Sequence, residues 1–465
     1  MSILIKNGTI LTAMEEFQGD ILIEGEKVIA IGKGLDQRAD EIVDARGMYV
    51  FPGGVDQHTH FNFSFLSATT RSFETSNAAL VGGTTTVVDF ANQKVGWSVK
   101  DSIDEYREQK AVGKAMCDYA FHGVVFDPND ALFKEIPKLP EIGVPTIKLF
   151  MAYKGHPYHC DDAAVFKALQ ASKEAGVTIM VHAENADVID VLQKQCITKG
   201  KIEPIYHAVS RPPLVEAECT QRAINLAAMA EAPILIVHVT CKEAMEAIRE
   251  AFQKGIAAYG ETCSHYLVLD TDNLAKPNFE GAKYVCSPAL RSKEHRDALW
   301  EAVRNGWLKC VSSDHCGFDW KEQKHLGKDD FTKIPNGAPG LENRLGILWT
   351  YGVETGKISR QRFVDLFTTA PAKINGLFPR KGTIAVGSDA DIVIFDPSWK
   401  GIMTVENSLQ GVDYCAFEGM EQIGRVEKVY LRGKLTVENN KFIGKEGQGE
   451  FIKGDPFGLA YENLK

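Results

Sequence analysis

The stretch YVFPGGVDQHTH, Tyr49–His60, decides the fold because it leads an apolar, strand-like run into two histidines. Side chains in a strand alternate between its two faces, so His58 and His60 project on the same side. The apolar run before them predicts a buried strand with both imidazoles at its carboxyl end. Two neutral imidazoles converging from one strand form half of a site for zinc or a similar divalent metal. The alternative is a polar strand end that carries two incidental histidines.

The middle of the chain alternates apolar, strand-like runs with helix-like stretches, which is typical of a parallel α/β sheet. Eight such runs follow in order: YVFPGGVDQH, TTTVVDF, CDYAFHGVVF, VPTIKLFMAY, VTIMVHAEN, APILIVHVT, IAAYGETC and LKCVSSDH. Eight strand–helix units over about 320 residues predict a (β/α)8 TIM-type barrel. An open doubly wound sheet is the alternative, but no GxGxxG motif follows any of these runs.

Both ends of the chain have a different, β-rich pattern. Short alternating runs with Asn-Gly and Glu-Gly turns fill residues 1–50, and the same pattern returns in KGTIAVGSDADIVIFDP and RVEKVYLRGKLTVENNKFIG. Because about 50 residues make a thin core alone, we expect one β-sandwich domain built from residues 1–50 and 375–465. The catalytic barrel would then occupy residues 51–374. Residues 454–465, GDPFGLAYENLK, predict an extended tail that docks on a neighbouring subunit.

The composition indicates a cytoplasmic, water-soluble protein. The 465 residues are 44% hydrophobic and 25% charged, with a net charge of −10. This charge argues against nucleic acid as a partner, because phosphate binding relies on a basic surface. No apolar run reaches the length of a transmembrane helix, and the N-terminus lacks the segments of a signal peptide. The ten cysteines form no CxxC pairs, which favours reduced thiols over a disulfide framework.

Further polar residues follow apolar runs of the predicted barrel. The catalytic residues of such barrels lie at the carboxyl ends of the strands, and these positions carry Lys148, His182, His238 and Asp314. We expect them to converge with the two histidines at one mouth. A single histidine in such a place is more often a core residue with satisfied hydrogen bonds. Four histidines and an aspartate at strand ends are harder to attribute to chance.

Lys148 is unusual because it lies inside the apolar run TIKLFMAY. An unpaired ammonium buried there would be costly and would tend to lose its proton. A neutral lysine can react with carbon dioxide to form a carbamate, whose two oxygens can bridge two cations. The alternative is a lysine whose head reaches solvent at the strand end.

These motifs resemble the dihydropyrimidinase/hydantoinase family of cyclic amidohydrolases. The resemblance covers essentially the whole chain and includes LIKNGTI, GGTTTVVDF, KLFMAYKG, YHAVSRP, CSPALR, PNGAPGLENR and KGTIAVGSDADIVIFD. The fold it implies is a (β/α)8 barrel with a β-sandwich made from both termini. The resemblance also implies a homo-oligomer, specifically a tetramer. The activity it implies is hydrolysis of the ring amide of cyclic diamides, such as 5-substituted hydantoins and dihydropyrimidines, to N-carbamoyl amino acids.

The resemblance also implies two divalent metal ions per subunit, usually Zn2+. His58, His60 and Asp314 would bind one ion, His182 and His238 the other, and Lys148, carboxylated by CO2 to N6-carboxylysine, would bridge both. Asp314 would take a proton from the attacking water and return it to the departing ring nitrogen.

Three substrate contacts are implied by motif. Tyr153 in KLFMAYKG matches a tyrosine whose hydroxyl hydrogen-bonds the developing oxyanion. Ser287 in CSPALR and Asn336 in PNGAPG match positions whose backbone groups bind the ring amide and imide. Without the resemblance, Tyr153 would be taken as a packing residue and the other two as turn residues.

The loop after His60, FNFSFLSATTRSFET, departs from many members of the family, which have a glycine- and acid-containing loop here. In the family this loop borders the exocyclic group of the substrate. The resemblance therefore makes Phe61, Phe63, Phe65 and Leu66 candidates for a pocket that holds an aromatic substituent, with Phe63 and Phe65 foremost. The alternative is that they pack the loop onto the barrel. Asn62 stands where a dihydroorotase has an arginine, which argues against a substrate carboxylate held in that way.

Two other functions remain open from the sequence. Allantoinase belongs to the same class, although Tyr153 with the SPALR and PNGAPG segments favours the hydantoinase branch. A non-enzymatic scaffold related to dihydropyrimidinases is disfavoured because every expected metal ligand is present.

Overall fold

The computed structural model describes residues 1–35 and 39–458. Its strands, in chain order, are β1 (Ser2–Leu11), β2 (Glu16–Glu24), β3 (Lys27–Gly32), β4 (Glu41–Asp44), β5 (Tyr49–Pro52), β6 (Gly54–Thr59), β7 (Ser64–Phe65), β8 (Ala68–Thr69), β9 (Thr84–Asn92), β10 (Asp118–Val124), β11 (Thr146–Phe150), β12 (Thr178–His182), β13 (Ile234–Ile236), β14 (Ala258–Cys263), β15 (Leu308–Ser312), β16 (Ile392–Ile402), β17 (Glu421–Leu431), β18 (Lys434–Glu438) and β19 (Lys441–Phe442).

The α-helices lie mostly between the middle strands. They are α1 (Asn77–Val81), α2 (Val99–Tyr106), α3 (Asp130–Glu135), α4 (Asp162–Ser172), α5 (Ala186–Thr198), α6 (Ile205–Val209), α7 (Pro213–Ala230), α8 (Lys242–Gln253), α9 (Thr271–Leu274), α10 (Lys293–Asn305), α11 (Arg344–Leu348), α12 (Arg360–Val364) and α13 (Ala370–Ile374). None of these described helices combines the length and apolar character that crossing a lipid bilayer requires.

Eight parallel strands of the described chain form the barrel, in the order β6–β9–β10–β11–β12–β13–β14–β15. The first and last strands approach each other where Thr59 bridges to His315. These strands coincide with the eight apolar runs of the sequence, so the predicted barrel is confirmed and the open doubly wound sheet is wrong. Residues from successive strands fill the interior of the barrel below its mouth, among them Phe90, Val124, Met180, Leu235, Tyr259 and Cys310. Polar side chains at the carboxyl ends therefore rest on a packed apolar floor.

Strands from both ends of the chain form a second, mixed sheet, as predicted. Its order is β19–β18–β17–β16–β5–β1–β2–β3, with β4 beside β1. β5 pairs antiparallel with β16, which places Val50 opposite Ile394. The chain passes from this sheet into the barrel at Gly53, where a Cβ atom would lie 2.1 Å from Thr85 Oγ1. Only glycine fits this close approach of two strands.

A buried ion cluster joins the terminal sheet to the amino-terminal end of the barrel. The Lys381 ammonium lies 2.5 Å from Asp118, the first residue of β10, 2.8 Å from Asp391 and 3.0 Å from Asp389. Arg432, at the end of β17, also pairs with Asp118. The cations here are matched by carboxylates, as buried charges require.

The start of the predicted tail packs on its own barrel. The backbone N–H of Asp455 donates to Gly376 O at 2.9 Å, and that of Phe457 donates to Gly176 O at 3.0 Å. Residues 459–465, the rest of the segment predicted to dock on a neighbouring subunit, lie outside the described residues. The ten cysteines are free thiols, and all but Cys196 are buried.

Candidate metal centre and substrate cavity

The end of β6 brings His58 and His60 to the mouth of the barrel, with ring centroids 5.2 Å apart. Asp314, which follows β15, places Oδ1 3.2 Å from the Nε2 atom of each histidine. One potential ligand atom from each of these three residues lies within 4.8 Å of the others, which is close enough for a shared metal ion. The closing of β15 against β6 therefore unites residues more than 250 positions apart.

The neighbouring strands contribute the other predicted ligands. Lys148 on β11 places Nζ 3.1 Å from His58 Nε2. The rings of His182, the last residue of β12, and His238, just after β13, have centroids 4.5 Å apart, and the His238 ring lies 5.3 Å from that of His58. The structure thus brings all six residues predicted as metal ligands to one mouth.

Burial sets the protonation of this cluster. It lowers the pKa of all four histidines, His58 and His238 most strongly, so the imidazoles are neutral and able to bind a metal. Burial also lowers the pKa of Lys148 to about 8. Burial opposes ionisation of Asp314, but its hydrogen bond with His60 holds the pKa of its carboxyl below the usual value.

The donor set fits divalent metal ions. Neutral imidazoles and a carboxylate are the ligands that zinc accepts, and an anionic carbamate on Lys148 would add oxygen donors. His238 Nδ1 is buried and has no hydrogen-bond partner among the described residues. A buried polar atom without a partner is costly, and this imidazole therefore retains a nitrogen that can bind a metal.

Two glutamates that the sequence analysis did not single out orient the histidines. Glu261 on β14 places Oε1 2.7 Å from His58 Nδ1, and Glu184 places Oε2 2.7 Å from His182 Nε2. Each contact fixes which imidazole nitrogen faces the cluster, as carboxylates commonly do for metal-binding histidines. Burial raises the pKa of Glu261 to about 8. Burial also acts on Glu184, but the Arg211 guanidinium, 2.8 Å away, holds the pKa of that carboxyl well below its usual range.

The sequence did contain signals for both glutamates. Glu261 is a charged residue inside the predicted buried strand IAAYGETC, and Glu184 lies two residues after a predicted ligand in VHAEN. An acid in such a place needs a partner. What the sequence lacks is the identity of that partner, since Glu261 meets a histidine 203 positions away.

A cavity opens beside the cluster. Tyr153, Ser287 and Asn336, the three predicted substrate contacts, all line it. The hydroxyl of Tyr153 hydrogen-bonds with Ser287 and Asn336, and burial raises its pKa. The hydroxyl is therefore protonated at neutral pH and able to donate a hydrogen bond into the cavity.

Aromatic rings form the outer walls of this cavity. Phe63 and Phe65, in the loop after His60, line it and lie 6.2 Å apart in a stacked arrangement. Phe126, Phe150 and Tyr158, residues that the sequence analysis did not identify, also line it.

The other two apolar residues of the loop lie elsewhere. Phe61 is buried in the core, where it stacks on Phe73 at 4.6 Å, and so does not reach the cavity. Leu66 is half exposed and lies outside the cavity lining. Of the two interpretations of this loop, packing applies to Phe61 and cavity lining to Phe63 and Phe65.

Comparison with known proteins agrees with this geometry. The amidohydrolase family matches residues 49–436. The chain is 48% identical to a D-hydantoinase of Geobacillus stearothermophilus over 98% of both chains, and 38% identical to a D-phenylhydantoinase of Escherichia coli over 98% of this chain and 99% of that one. A crystal structure of dihydropyrimidinase from Brevibacillus agri superposes with a TM-score of 0.96 at 49% identity, covering 98% of this chain and 99% of that one. The barrel, the ligand-like cluster and these relatives together establish that the chain belongs to the amidohydrolase family.

Proposed function

We propose that this protein hydrolyses the ring amide bond of cyclic diamides, namely 5-substituted hydantoins and dihydropyrimidines, and releases N-carbamoyl amino acids. The observation that carries the proposal is the meeting of four neutral histidines, a buried lysine and Asp314 at the floor of a cavity lined by Tyr153. The relatives named D-hydantoinase and dihydropyrimidinase support the same chemistry.

Two divalent metal ions, with zinc as the expected element, would be held by this cluster. His58, His60 and Asp314 would bind one ion and His182 and His238 the other. Lys148 would bridge them after its neutral amine adds to CO2, forming an N–C bond and releasing one proton. Bound there, the ions would supply Lewis-acid polarisation of the scissile carbonyl and lower the pKa of water.

The protein's own groups would position the substrate and move the protons. Asp314 would accept a proton from the attacking water and return it to the ring nitrogen as the C–N bond breaks. The Tyr153 hydroxyl would donate a hydrogen bond to the oxygen that gains negative charge. Backbone groups at Ser287 and Asn336 would hold the ring amide and imide.

The aromatic walls favour an apolar substituent on the ring. A phenyl group between Phe63 and Phe65 on one side and Phe150 on the other would replace water with ring contacts. Burying such a group favours it by roughly 1–3 kcal/mol over hydrogen.

Four further properties belong to the proposal. We propose that the protein acts on the D-enantiomer of such substrates, assembles as a homotetramer and is located in the cytoplasm. We also propose that residues 1–50 and 375–465 form one domain and residues 51–374 the other.

A panel of substrates tests the proposed function. Protein with about two zinc ions per chain should open 5-phenylhydantoin and dihydrouracil, and chiral chromatography should find N-carbamoyl-D-phenylglycine from the former. Turnover of allantoin alone would assign the protein to allantoinase chemistry instead. Zinc-loaded protein with no turnover of any ring substrate would contradict the enzymatic proposal.

The substituent wall has a test of its own. Phe63→Ala or Phe65→Ala should lower kcat/KM for phenylhydantoin relative to dihydrouracil. Phe61→Leu, a change in the same loop but at a residue buried in the core, should leave that ratio unchanged. If neither alanine variant moves the ratio by more than about threefold, which is under 1 kcal/mol, these phenylalanines do not contact the substituent.

A further inference from the structure

Lys324 is a fully buried lysine outside the ligand cluster, and its ammonium group contacts three backbone oxygens. Nζ donates to Val285 O at 2.9 Å, to Pro335 O at 3.0 Å and to Gly337 O at 2.5 Å. An ammonium has three hydrogens to donate, and here each one has its own carbonyl. Burial lowers the pKa of this lysine to about 8.

The three carbonyls lie next to Ser287 and Asn336, which line the cavity. Asn336 lies between Pro335 and Gly337, and Ser287 follows Val285 by two positions. The two segments also contact each other directly, because the backbone N–H of Gly337 donates to Val285 O at 2.9 Å. Lys324 therefore binds both segments at the point where they meet.

The turn that carries Lys324 is itself anchored. The backbone N–H of Lys324 donates to Asp319 O at 2.9 Å. The side chain of Gln323 donates to Thr69 O, in the β7–β8 hairpin that contains Phe65, at 2.8 Å. The turn that carries Lys324 is thus fixed by its own hydrogen bonds, and it also contacts the loop after His60.

We propose that Lys324 is a positioning residue for substrate binding, whose ammonium holds the segments 285–287 and 335–337 in one register and so orients the ring-binding groups at Ser287 and Asn336. The inference rests on the proposed function, because those groups are assigned to the ring of the cyclic diamide. Lys324 touches neither substrate nor metal ligand. Its effect reaches the reaction only through the two segments.

A lysine suits this task better than a residue that makes a single hydrogen bond. Without the ammonium, Pro335 O and Gly337 O would lose their described bonds to Nζ, and buried carbonyls without partners are costly. The segments would then shift toward other donors or water. A displacement of about 1 Å in a positioning element can cost up to about 100-fold in rate or binding.

The test compares two buried lysines with the zinc-loaded, full-length enzyme. Lys324→Met removes the three donors and keeps most of the side-chain volume. Lys381→Met makes the same change in the ion cluster at the far end of the barrel. We expect Lys324→Met to raise KM for both phenylhydantoin and dihydrouracil by about tenfold or more, with kcat changed by less than about threefold and zinc content unchanged. Lys381→Met should lower the melting temperature and leave KM within about twofold of the wild-type value.

Lys324→Gln provides a graded variant that also serves if the methionine variant does not fold. Its amide retains two donors, so its KM should lie between those of the wild type and Lys324→Met. Unchanged KM in folded Lys324 variants, with an active wild type, would overturn the positioning role alone. Failure of both variants to fold would also overturn it and make Lys324 a residue of general stability. An inactive wild type would instead contradict the proposed function.

Discussion

Lys381, at the amino-terminal end of the barrel, lies among three carboxylates, whereas Lys148, at the opposite end, lies between an imidazole and two aromatic rings. The Lys148 ammonium is 4.3 Å from the ring centre of Phe90 and 5.0 Å from that of Phe150. Burial opposes the charge of Lys381, but its three acidic neighbours raise its pKa above the usual value. Burial lowers the pKa of Lys148 to about 8.

The contrast separates a lysine that binds structure together from one that is chemically available. A paired ammonium keeps its proton and cannot attack carbon dioxide, while a poorly paired one gives up its proton within the range of ordinary solutions. Backbone strain is present at both ends. His238, Asp314 and Tyr153 at the mouth have φ angles of 41°, 48° and 61°, and Arg432 in the ion cluster has a φ of 45°. Each is a left-handed conformation that costs of order 1–3 kcal/mol for a residue with a side chain. The difference in lysine pairing, and not backbone strain, therefore distinguishes the end where we place the reaction.

Lys148→Ala should have the largest effect, because it should remove both the bound metal and the activity. Without a carbamate to bridge them, most of the bound metal should be lost, and activity should fall by more than about 10³-fold, since metal ions stabilise the transition state by several kcal/mol. Metal content by mass spectrometry and initial rates measure both effects, and short carboxylic acids should partly restore the rate. Lys148→Arg should not restore it, because guanidinium stays protonated. Full activity in Lys148→Ala would remove the carbamate from the proposal.

Lys381→Met, at the opposite end of the barrel, should lower the free energy of unfolding and leave kcat unchanged. It leaves Asp118, Asp389 and Asp391 with one cation fewer in a buried site, which typically costs about 3–5 kcal/mol of unfolding free energy. Denaturant unfolding measures this loss, and kcat per folded molecule is the control. A variant as stable as the wild type would show that the cluster contributes little.

The loss of stability at low pH provides a second test of the Lys381 cluster. Burial opposes ionisation of Asp389, but Lys381 and Lys27 hold its pKa at about 2 against an unfolded value near 3.8. A carboxyl with a lowered pKa stabilises the fold above its unfolded pKa, and this stability is lost as the pH falls from 3.8 through 2. Lys381→Met should reduce that acid-induced loss. Unfolding free energies measured between pH 5 and pH 2 in both proteins test the sign.

Tyr153→Phe should lower turnover and leave the metal centre intact. Removal of one oxyanion donor typically costs about 10²–10³-fold in kcat. Zinc content equal to that of the wild type distinguishes this loss from that of Lys148→Ala. Wild-type turnover on every ring substrate would make Tyr153 a packing residue.

Glu261→Gln should give the smallest of these effects. The amide keeps the volume of the glutamate but replaces the acidic group that contacts His58 Nδ1, and loss of such a partner typically weakens metal binding by about 10- to 100-fold. Competition for zinc with a chelator measures the change. Glu218→Gln, an exposed substitution on α7, is the matched control. Equal zinc affinity in Glu261→Gln would mean that β6 alone orients the histidine.

The barrel and most of its mouth are predictable from sequence because strand periodicity and strand ends are local properties. Each predicted apolar run forms a strand. Because the strands are parallel, the polar residues at their carboxyl ends all lie at the same end of the barrel. His182 and His238 could be found in this way without knowledge of their partners. Lys148 stood out because a buried amine has few stable explanations.

The remaining features depend on contacts that no local pattern encodes. Phe61 and Phe63 lie two positions apart in the same loop, but Phe61 packs in the core and Phe63 lines the cavity. Lys324 lies in a polar stretch, KEQKHLGKDD, whose composition predicts a surface residue. Its burial follows from the meeting of segments near residues 285 and 336, which only the closed barrel brings together.

The pairing of β5 with β16 has a consequence for synthesis. Val50 leaves the ribosome roughly 340 residues before its partner Ile394, which at ordinary rates of about 5–20 residues per second is an interval of roughly 20–70 s. During that time β5 presents an unpaired apolar edge, the kind of surface on which nascent chains associate wrongly. The amino-terminal strands are therefore made first and completed last, and a chain truncated before β16 would expose that edge for good. Yield in the cell should depend on what shields residues 1–52 while the barrel is still being translated.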